Sequence, residues 1–288
     1  MSLQQSDAAV LYIMGQSNAH AHEQMLSSVE MIETPLKNVH TLNRSYNQSF
    51  ENDHVEWSGF TSASFNLGET QDHTASLAYF TAKAWQTAID EGNSLPDLYI
   101  VQISIGAQGL FAGFQDEPTG MWNPQKPIVM HPGELSEVDI ALYPFALHTL
   151  RLVHADLDGR FQNPCVLGLH WLGSEEDTAE GYCRFPEFTE VYDRFFDALT
   201  AAVGWPCPLF LYELCCFRRE TVTAEGMAAV NAVFARQCQR QKDACIVSAR
   251  SSPLWNSDDP HLGIFAADDV HYLAETQRWF SEELMKNI

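Results

Sequence analysis

A serine near one end of the chain, and an aspartate and a histidine near the other, are the residue types that nucleophilic catalysis needs. Ser17 follows Gly15 and Gln16 just after the apolar run 8–13, at the place where a buried strand would end. Asp268 and His271 are three positions apart. A serine hydroxyl becomes a strong nucleophile when a histidine removes its proton and a carboxylate orients that histidine. These residues therefore predict acyl transfer, provided that the fold brings the two ends of the chain together.

Ser17 and His271 each have a structural interpretation as well. A serine in a turn between a strand and a helix is most often an N-cap that accepts hydrogen bonds from free backbone amides. His271 precedes the segment 272–285, whose apolar residues fall on one face of a helix, so it could simply begin that helix. The spacing of Asp268 and His271 favours the catalytic interpretation of both residues.

Alternating segments predict the fold that must position these residues. Apolar runs rich in β-branched residues predict strands at 8–13, 97–105, 165–171, 208–214 and 245–249, with 39–42 as a weaker candidate. Helical periodicity between and after them predicts helices at 74–91, 140–157, 186–203, 223–242 and 272–285. Strands that alternate with helices pair in parallel, so the sequence predicts a three-layer α/β/α sandwich with a mainly parallel central sheet.

The carboxyl ends of the predicted strands should form the functional edge of this sheet, because ligands of such sheets bind there. Ser17, Gly106 and Gly173 each follow a predicted strand, so we expect all three at one edge. The sequence shows no internal repeat and no change of composition along its length. It therefore predicts a single domain over residues 1–288.

The longest irregular segment, 107–138, carries several glycines and prolines. Loops of this length inside a domain are usually lids or binding loops, so we expect it to overhang the cleft. Its aromatic residues Phe111, Phe114 and Trp122 leave two interpretations open. They either anchor the loop or stack against a sugar ring.

Charge and composition exclude several function classes. The chain has 16 Lys and Arg against 38 Asp and Glu, a formal charge of -22 that repels nucleic acids and anionic membranes. No basic and apolar leader is visible, and no apolar run approaches the ~18 residues that a membrane span needs. The seven cysteines lack paired spacing, which favours reduced thiols and a cytoplasmic location. His20, His22 and Glu23 could suggest a metal site, but no further ligand has suitable spacing, so we expect no metal.

Four segments together resemble the SGNH hydrolase superfamily, and within it the branch of sialate O-acetylesterases and acetylxylan esterases. In chain order they are Gly15-Gln16-Ser17-Asn18, Ile105-Gly106-Ala107-Gln108, Trp171 to Asp177, and Asp268 to Tyr272. The first matches the family's nucleophile motif residue for residue, and the last matches its closing Asp-x-x-His. Because the segments follow the family order and span nearly the whole chain, the match is more specific than any one of them.

The resemblance implies a flavodoxin-like SGNH hydrolase fold and a catalytic triad. In this triad Ser17 attacks the ester carbonyl, His271 is the base, and Asp268 orients the imidazole. Asp269 fits less well, because the family spacing places the orienting carboxylate three residues before the histidine. The family needs no metal and no organic cofactor.

The oxyanion hole implied by the resemblance departs from the family pattern. The backbone N–H groups of Ser17 and Gly106 would belong to it. Where the family has a glutamine amide this chain has Gly173, followed by Ser174 where the family has glycine. Loss of one oxyanion donor typically costs about 3 to 4 kcal/mol of transition-state stabilisation. We therefore expect the side chain of Gln108, or the N–H of Gly173, to supply the missing donor.

The resemblance also suggests supporting residues and a substrate class. Gln16 and Glu175 are candidates for supporting roles, Glu175 because some family members use an acidic residue of this segment to support the histidine. The expected substrate is a small-molecule or oligosaccharide acetyl ester, such as acetylated sialic acid or a xylan fragment. Two alternatives stay open: a sugar-binding protein with weakened catalysis, and an esterase for other small esters or thioesters.

Overall fold

Strands and helices alternate along the chain in the computed structural model, which describes residues 3–27, 30–42, 59–64, 74–111, 119–129, 141–179, 181–215, 222–259 and 262–288. The strands are β1 (Ala8–Gly15), β2 (Val39–Leu42), β3 (Phe60–Ser62), β4 (Asp97–Ser104), β5 (Pro164–Leu172), β6 (Leu209–Tyr212) and β7 (Ala244–Val247). The α-helices are α1 (Leu77–Asp90), α2 (Leu142–Arg160), α3 (Phe188–Val203), α4 (Ala224–Arg240) and α5 (Ala274–Lys286). The six strands and five helices predicted from the sequence all lie in this set.

The seven strands form one sheet in the order β3-β2-β4-β1-β5-β6-β7. All neighbouring pairs are parallel except β2 and β3. Every residue of the central strand β1 is buried, because a parallel sheet is covered on both faces. The mainly parallel sheet that the sequence predicts is therefore confirmed.

Strand β1 divides the hydrophobic core into two layers, because successive side chains of a strand point to opposite faces. Ala8, Val10, Tyr12 and Met14 pack with α2, α3 and α4. Ala9, Leu11 and Ile13 pack with α1 and α5 on the other face. The chain therefore has the predicted three-layer α/β/α arrangement.

All five helices begin one to three residues later than their predicted ranges, and in two of them a polar side chain caps the observed start. Ser76 accepts a hydrogen bond from the Tyr79 N–H, so α1 begins at Leu77 although the predicted range begins at residue 74. Thr223 caps α4 in the same way by accepting from the Gly226 N–H. Capping chemistry, rather than periodicity, fixes these boundaries.

Strand β3 is the element that the sequence pattern does not predict. It pairs antiparallel with β2 at the outer edge of the sheet, with Ser62 opposite His40. Its three residues, Phe-Thr-Ser, are half-buried or exposed. Such a short edge strand with little buried surface leaves no periodic signal in the sequence.

The described parts of the long segment 107–138 contribute to the core. Phe111 is buried and stacks on Phe188 of α3, with ring centroids 5.0 Å apart. Trp122 is fully buried and makes an edge contact with Trp171 at 5.2 Å. These two aromatic residues therefore anchor the loop, and the interpretation that they stack on a sugar ring is wrong. Phe114 and half of the expected lid lie outside the described residues.

The described helices and cysteines bear on two expectations from composition. In the ranges that the structure describes, no helix combines the length and the apolar character that crossing a bilayer requires. The described cysteines are all free thiols, and they are Cys165, Cys183, Cys207, Cys215, Cys238 and Cys245.

Candidate active site

The turn after β1 leaves the sheet at Gly15, where only glycine fits. Its φ of 147° lies in the region that favours glycine, and a Cβ there would lie 1.9 Å from the carbonyl oxygen of Leu172 on β5. The N–H of Gln16 donates to the same carbonyl at 3.0 Å. Ser17 follows at once and is nearly buried. The close contact of β1 with β5 thus fixes where the serine lies.

Gly106 and Gly173 lie beside this turn, as the sequence predicts. A Cβ on Gly106 would come within 3.7 Å of the Ser17 Cβ. A Cβ on Gly173 would lie 3.2 Å from the Gly15 Cα and 3.1 Å from the Trp171 ring. The prediction that the turns after β1, β4 and β5 share one edge is confirmed. The tight space at Gly173 also explains why this position carries no side chain.

Asp268 and His271 form a side-chain pair in the loop before α5. One carboxylate oxygen of Asp268 contacts Nδ1 of His271. The other accepts hydrogen bonds from the N–H groups of Val270 and His271, both at 3.0 Å. Partial burial raises the pKa of Asp268, but these N–H groups and the His271 ring together lower that pKa below its usual value. The carboxylate is therefore ionised and oriented toward the imidazole.

Asn18 ties this loop to the turn that carries Ser17. Its side-chain amide donates to the Val270 carbonyl at 3.1 Å and accepts from the Tyr272 N–H at 2.9 Å. Its own carbonyl accepts from the side chain of Gln277 on α5 at 2.8 Å. Residues about 250 positions apart in sequence are thus joined on both sides of His271.

Ser17 and His271 lie on these two joined segments. Among the described residues, no hydrogen bond joins the Ser17 hydroxyl to the His271 ring. Besides the bonds of Asn18, a second link runs through His22, whose N–H donates to the Ser17 carbonyl at 3.0 Å and whose ring lies 4.9 Å from the His271 ring. The pair of His271 and Asp268 is therefore present, and the contact between His271 and Ser17 stays a prediction.

Glu175, a candidate supporting residue, contacts Asn18. Its Oε1 accepts from the Asn18 amide at 2.6 Å, and its Oε2 has no hydrogen-bond partner within the described part of the chain. Burial raises the pKa of Glu175, while the Asn18 hydrogen bond and the charge of His271 lower it by less. Glu175 therefore reaches the loop of the histidine by a hydrogen bond to Asn18, and it interacts with His271 through charge.

Asp177 holds the segment that follows β4. Its fully buried carboxylate accepts from the Leu110 N–H at 3.0 Å, the Phe111 N–H at 2.8 Å and the Tyr192 hydroxyl at 2.6 Å. A Cβ on Gly109 would lie 2.1 Å from the same carboxylate, so only glycine lets the backbone approach it. Asp177 thus fixes the path of the chain just beyond Gly106.

Gln108 is fully buried, and neither its amide nitrogen nor its amide oxygen has a hydrogen-bond partner among the described residues. The Oε1 of Gln16 is likewise buried without a partner in these ranges. An unsatisfied buried polar group typically costs about 1 to 3 kcal/mol. Unsatisfied polar groups in a native structure call for an explanation, and a ligand that pairs with them is one.

Backbone strain is concentrated at this edge of the sheet. In the described residues, the non-glycine residues with positive φ are Ala21, Glu23, Ala107, Ser174 and Asp269. All of them lie in the turns that carry the candidate residues. Such conformations cost about 1 to 3 kcal/mol each and persist where the surrounding structure fixes them, often at functional sites.

The histidines of the first turn contact other side chains of the candidate site. His20 is buried, and its Nδ1 lies 3.2 Å from the Ser104 hydroxyl. His22 faces His271. Within the described ranges, no group of three or more His, Cys, Asp or Glu residues is placed to hold a metal ion.

Three residues of this site were not assigned a role from the sequence. Asn18 and Asp177 lie inside the motifs that resemble the family, so their place in those motifs was a signal that they matter. Their roles depend on hydrogen bonds between distant segments, which spacing does not reveal. His22 has no such signal, because a histidine in a turn is common and its contact with His271 arises only in the folded chain.

Comparison with known proteins shows relatives of the fold. No model of a protein family matches the chain, and no curated protein matches it either. Among solved structures, NanS matches with a TM-score of 0.63 at 15% identity, over 98% of both chains. A protein from Arabidopsis thaliana matches with a TM-score of 0.54 at 12% identity, over 98% of this chain and 99% of that one.

A third solved structure, a carbohydrate acetylesterase from Xanthomonas citri, matches with a TM-score of 0.53 at 12% identity. The match covers 96% of this chain and 55% of that chain. At these identities the matches establish a shared architecture. The chain therefore has the α/β/α fold of these three proteins.

Proposed function

We propose that this chain is a serine esterase that removes acetyl groups from a carbohydrate. The observation that carries the proposal is the pair of His271 and Asp268, joined through Asn18 to the turn with Ser17. The fold shared with a carbohydrate acetylesterase supports it, as does the resemblance of four sequence segments to SGNH hydrolases. An ionised carboxylate that orients a histidine, together with a serine, is the set of groups that acyl transfer needs.

The chemistry takes place in two steps. The Nδ1 side of His271 faces Asp268, which leaves Nε2 to accept the Ser17 proton. The serine oxygen attacks the ester carbonyl, and the sugar hydroxyl departs with the proton from His271. Water then attacks the acetyl-enzyme with His271 as base, so that acetate leaves and Ser17 regains its proton.

The oxyanion that forms in each step needs hydrogen-bond donors. The N–H groups of Ser17 and Gly106 are the first two, because the Cβ of Ser17 lies directly beside Gly106. The N–H of Gly173, next to Gly15, and the unpaired amide of Gln108 are the candidates for a third donor. Each such donor acts mainly on the transition state.

A comparison of acetate release from p-nitrophenyl acetate and from acetylated xylo-oligosaccharides by the wild type and by Ser17→Ala tests this function. We expect Ser17→Ala to abolish turnover of both substrates while the thermal unfolding temperature stays close to that of the wild type. Ser6→Ala, at a serine near the amino-terminal end of β1, is the matched control and should retain activity. Turnover that survives in Ser17→Ala would refute the proposed nucleophile.

A sugar-binding protein with weakened catalysis is the second candidate. It is favoured by the missing side-chain donor at Gly173 and by the absence of a hydrogen bond between Ser17 and His271 in the described structure. Calorimetric titration with acetylated and deacetylated xylo-oligosaccharides separates the two functions. Binding without turnover of any acetyl ester would support the sugar-binding protein.

A further inference from the structure

The ring of His22 lies against the ring of His271, and the proposed triad gives it no role. The two ring centroids are 4.9 Å apart and the ring planes are tilted by 53°. The side chain of His22 is 37% exposed, so it lies at the protein surface above the turn. A contact between two imidazoles matters here because one of them must gain a positive charge during the reaction.

The backbone holds His22 in this position. Both of its neighbours, Ala21 and Glu23, have left-handed φ values of 55° and 58°. The N–H of His22 donates to the Ser17 carbonyl at 3.0 Å, which closes the turn. Non-glycine residues keep such conformations only where the surrounding structure fixes them. The turn therefore presents His22 in one direction, toward His271.

The charged and titratable groups around His22 come from its own turn and from the loop before α5. Glu23 lies 3.7 Å from its Nε2, and the His20 ring lies at 6.0 Å. Burial lowers the pKa of His22, and His271 lowers it further, while Glu23 and Asp268 raise it by less. The resulting pKa lies below the usual 6.5, so the His22 ring is uncharged near neutral pH.

We propose that His22 is a positioning residue whose uncharged ring holds the His271 ring in place and accommodates the imidazolium that His271 becomes on accepting the Ser17 proton. This inference rests on the proposed esterase function. An uncharged ring whose centroid lies 4.9 Å away packs against the imidazolium without opposing its charge. A second positive charge at the same place would oppose imidazolium formation, because like charges at this distance repel.

Three variants of the full chain separate the ring contact from the charge. In His22→Ala the contact is lost, and we expect kcat for p-nitrophenyl acetate to fall about tenfold with little change in KM. In His22→Phe a neutral ring remains, so most of kcat should return. In His22→Lys kcat should fall, and the acid limb of the kcat/KM profile should move to lower pH by about one unit.

His148→Lys, at a histidine on α2, is the matched control and should leave kcat and the acid limb unchanged. The proposal is overturned if the acid limb of His22→Lys coincides with that of the wild type, or if His22→Phe is no more active than His22→Ala. An NMR titration of the His271 ring measures the effect of residue 22 on His271 without relying on enzyme activity. If its midpoint does not move to lower pH in His22→Lys, the inference fails whether or not the chain is an esterase. If only the esterase proposal is wrong, the wild type will instead show no turnover, or turnover that does not depend on Ser17.

Discussion

The two sides of the candidate site differ in how their polar groups are paired. The side that carries Asp268, His271 and Asn18 is called the base side. There, both carboxylate oxygens of Asp268 have partners. The amide of Asn18 also has partners and joins the loop at Val270 and Tyr272. The side that carries Gly106 and Gln108 is called the oxyanion side, and there the amide of Gln108 is buried without a partner in the described ranges. Except for the Oε2 of Glu175, which has no partner in the described ranges, the groups joined to Asn18 and Asp268 are paired and fix one geometry, whereas unpaired donors can pair with a ligand. Under the proposed function, the base would be oriented before substrate arrives, and substrate would complete the oxyanion side.

The largest expected effect comes from a substitution of Asp268, on the base side. Asp268→Asn keeps the shape of the side chain but removes the charge that orients and stabilises His271. We expect kcat to fall by about 10⁴-fold, as for the equivalent change in serine proteases. Steady-state hydrolysis of p-nitrophenyl acetate measures it. The neighbouring Asp269→Asn is the matched control, and an equal loss there would contradict the assignment of Asp268.

Removal of the Asn18 side chain, which joins the turn with Ser17 to the loop with His271, should have the next largest effect. Asn18→Ala deletes the amide that joins Glu175, Val270 and Tyr272, and it leaves buried groups unpaired at about 1 to 3 kcal/mol each. We expect a lower free energy of unfolding and a kcat reduced by about 10²-fold through misplacement of His271. Urea denaturation and steady-state kinetics measure the two effects.

The control for Asn18 is Asn38, whose side chain also joins distant segments but at the amino end of β4. The Asn38 side-chain amide donates to Asp97 at 2.8 Å and accepts from the Gln86 side chain at 3.3 Å. Asn38→Ala should lower the free energy of unfolding without changing kcat. If Asn18→Ala lowers the free energy of unfolding but not kcat, as expected for this control, Asn18 does not position His271.

Gln108→Met tests whether the unpaired amide on the oxyanion side takes part in catalysis. Methionine has similar length and no hydrogen-bonding group, so the cost of a buried amide without partners disappears, and the free energy of unfolding should rise by about 1 kcal/mol. If Gln108 donates to the oxyanion, kcat should at the same time fall by about 10²-fold. An unchanged kcat would show that Gln108 is not the donor and leave the Gly173 N–H as the candidate.

The smallest expected effect concerns the buried carboxyl of Glu175. Its pKa in the folded chain is raised above the usual 4.5, mainly by burial. The folded state then binds more protons than the unfolded state, so the free energy of unfolding falls as the pH rises from about 4.5 toward the folded pKa. Glu175→Gln removes this dependence and should flatten the stability profile in that window. Urea denaturation across pH measures it, with Glu33→Gln as an exposed control that should leave the profile as it is.

Much of the fold could be predicted from the sequence because β1 is a continuous apolar run and β4 is mostly apolar, as a doubly covered parallel sheet requires. The edge strand β3 could not, because its three residues bury little surface. The starts of α1 and α4 lie directly after the capping side chains of Ser76 and Thr223, whose effect is local. The starts of α2, α3 and α5 also lie two residues beyond the predicted ones, without a side-chain cap. Periodicity therefore predicts where helices lie better than where they begin.

The candidate site was predictable only in part. The positions of Ser17, Gly106 and Gly173 at one edge followed from the rule that parallel strands end together. The pair of Asp268 and His271 followed from spacing, since three residues of loop bring both side chains together. The contact between the two ends of the chain, through Asn18, depends on side-chain hydrogen bonds across about 250 residues that no local pattern encodes.

The aromatic residues of the long segment show how similar patterns lead to different outcomes. Phe111 and Trp122 lie in a loop rich in glycine and proline, which is typical of binding surfaces as well as of anchored loops. The structure buries both against α3 and β5, because large aromatic side chains gain most when fully removed from water. Loop composition alone does not distinguish a ring that binds sugar from a ring that fills the core.

Asp177 makes the oxyanion side a cooperative unit with α3. One carboxylate joins the backbone of residues 110 and 111 to Tyr192 on that helix, so neither segment can open without breaking bonds to the other. Amide hydrogens at Leu110 and Phe111 should then exchange with solvent as slowly as those of the helix, although they lie in a loop. A rigid platform of this kind would let substrate meet donors that need not move during turnover.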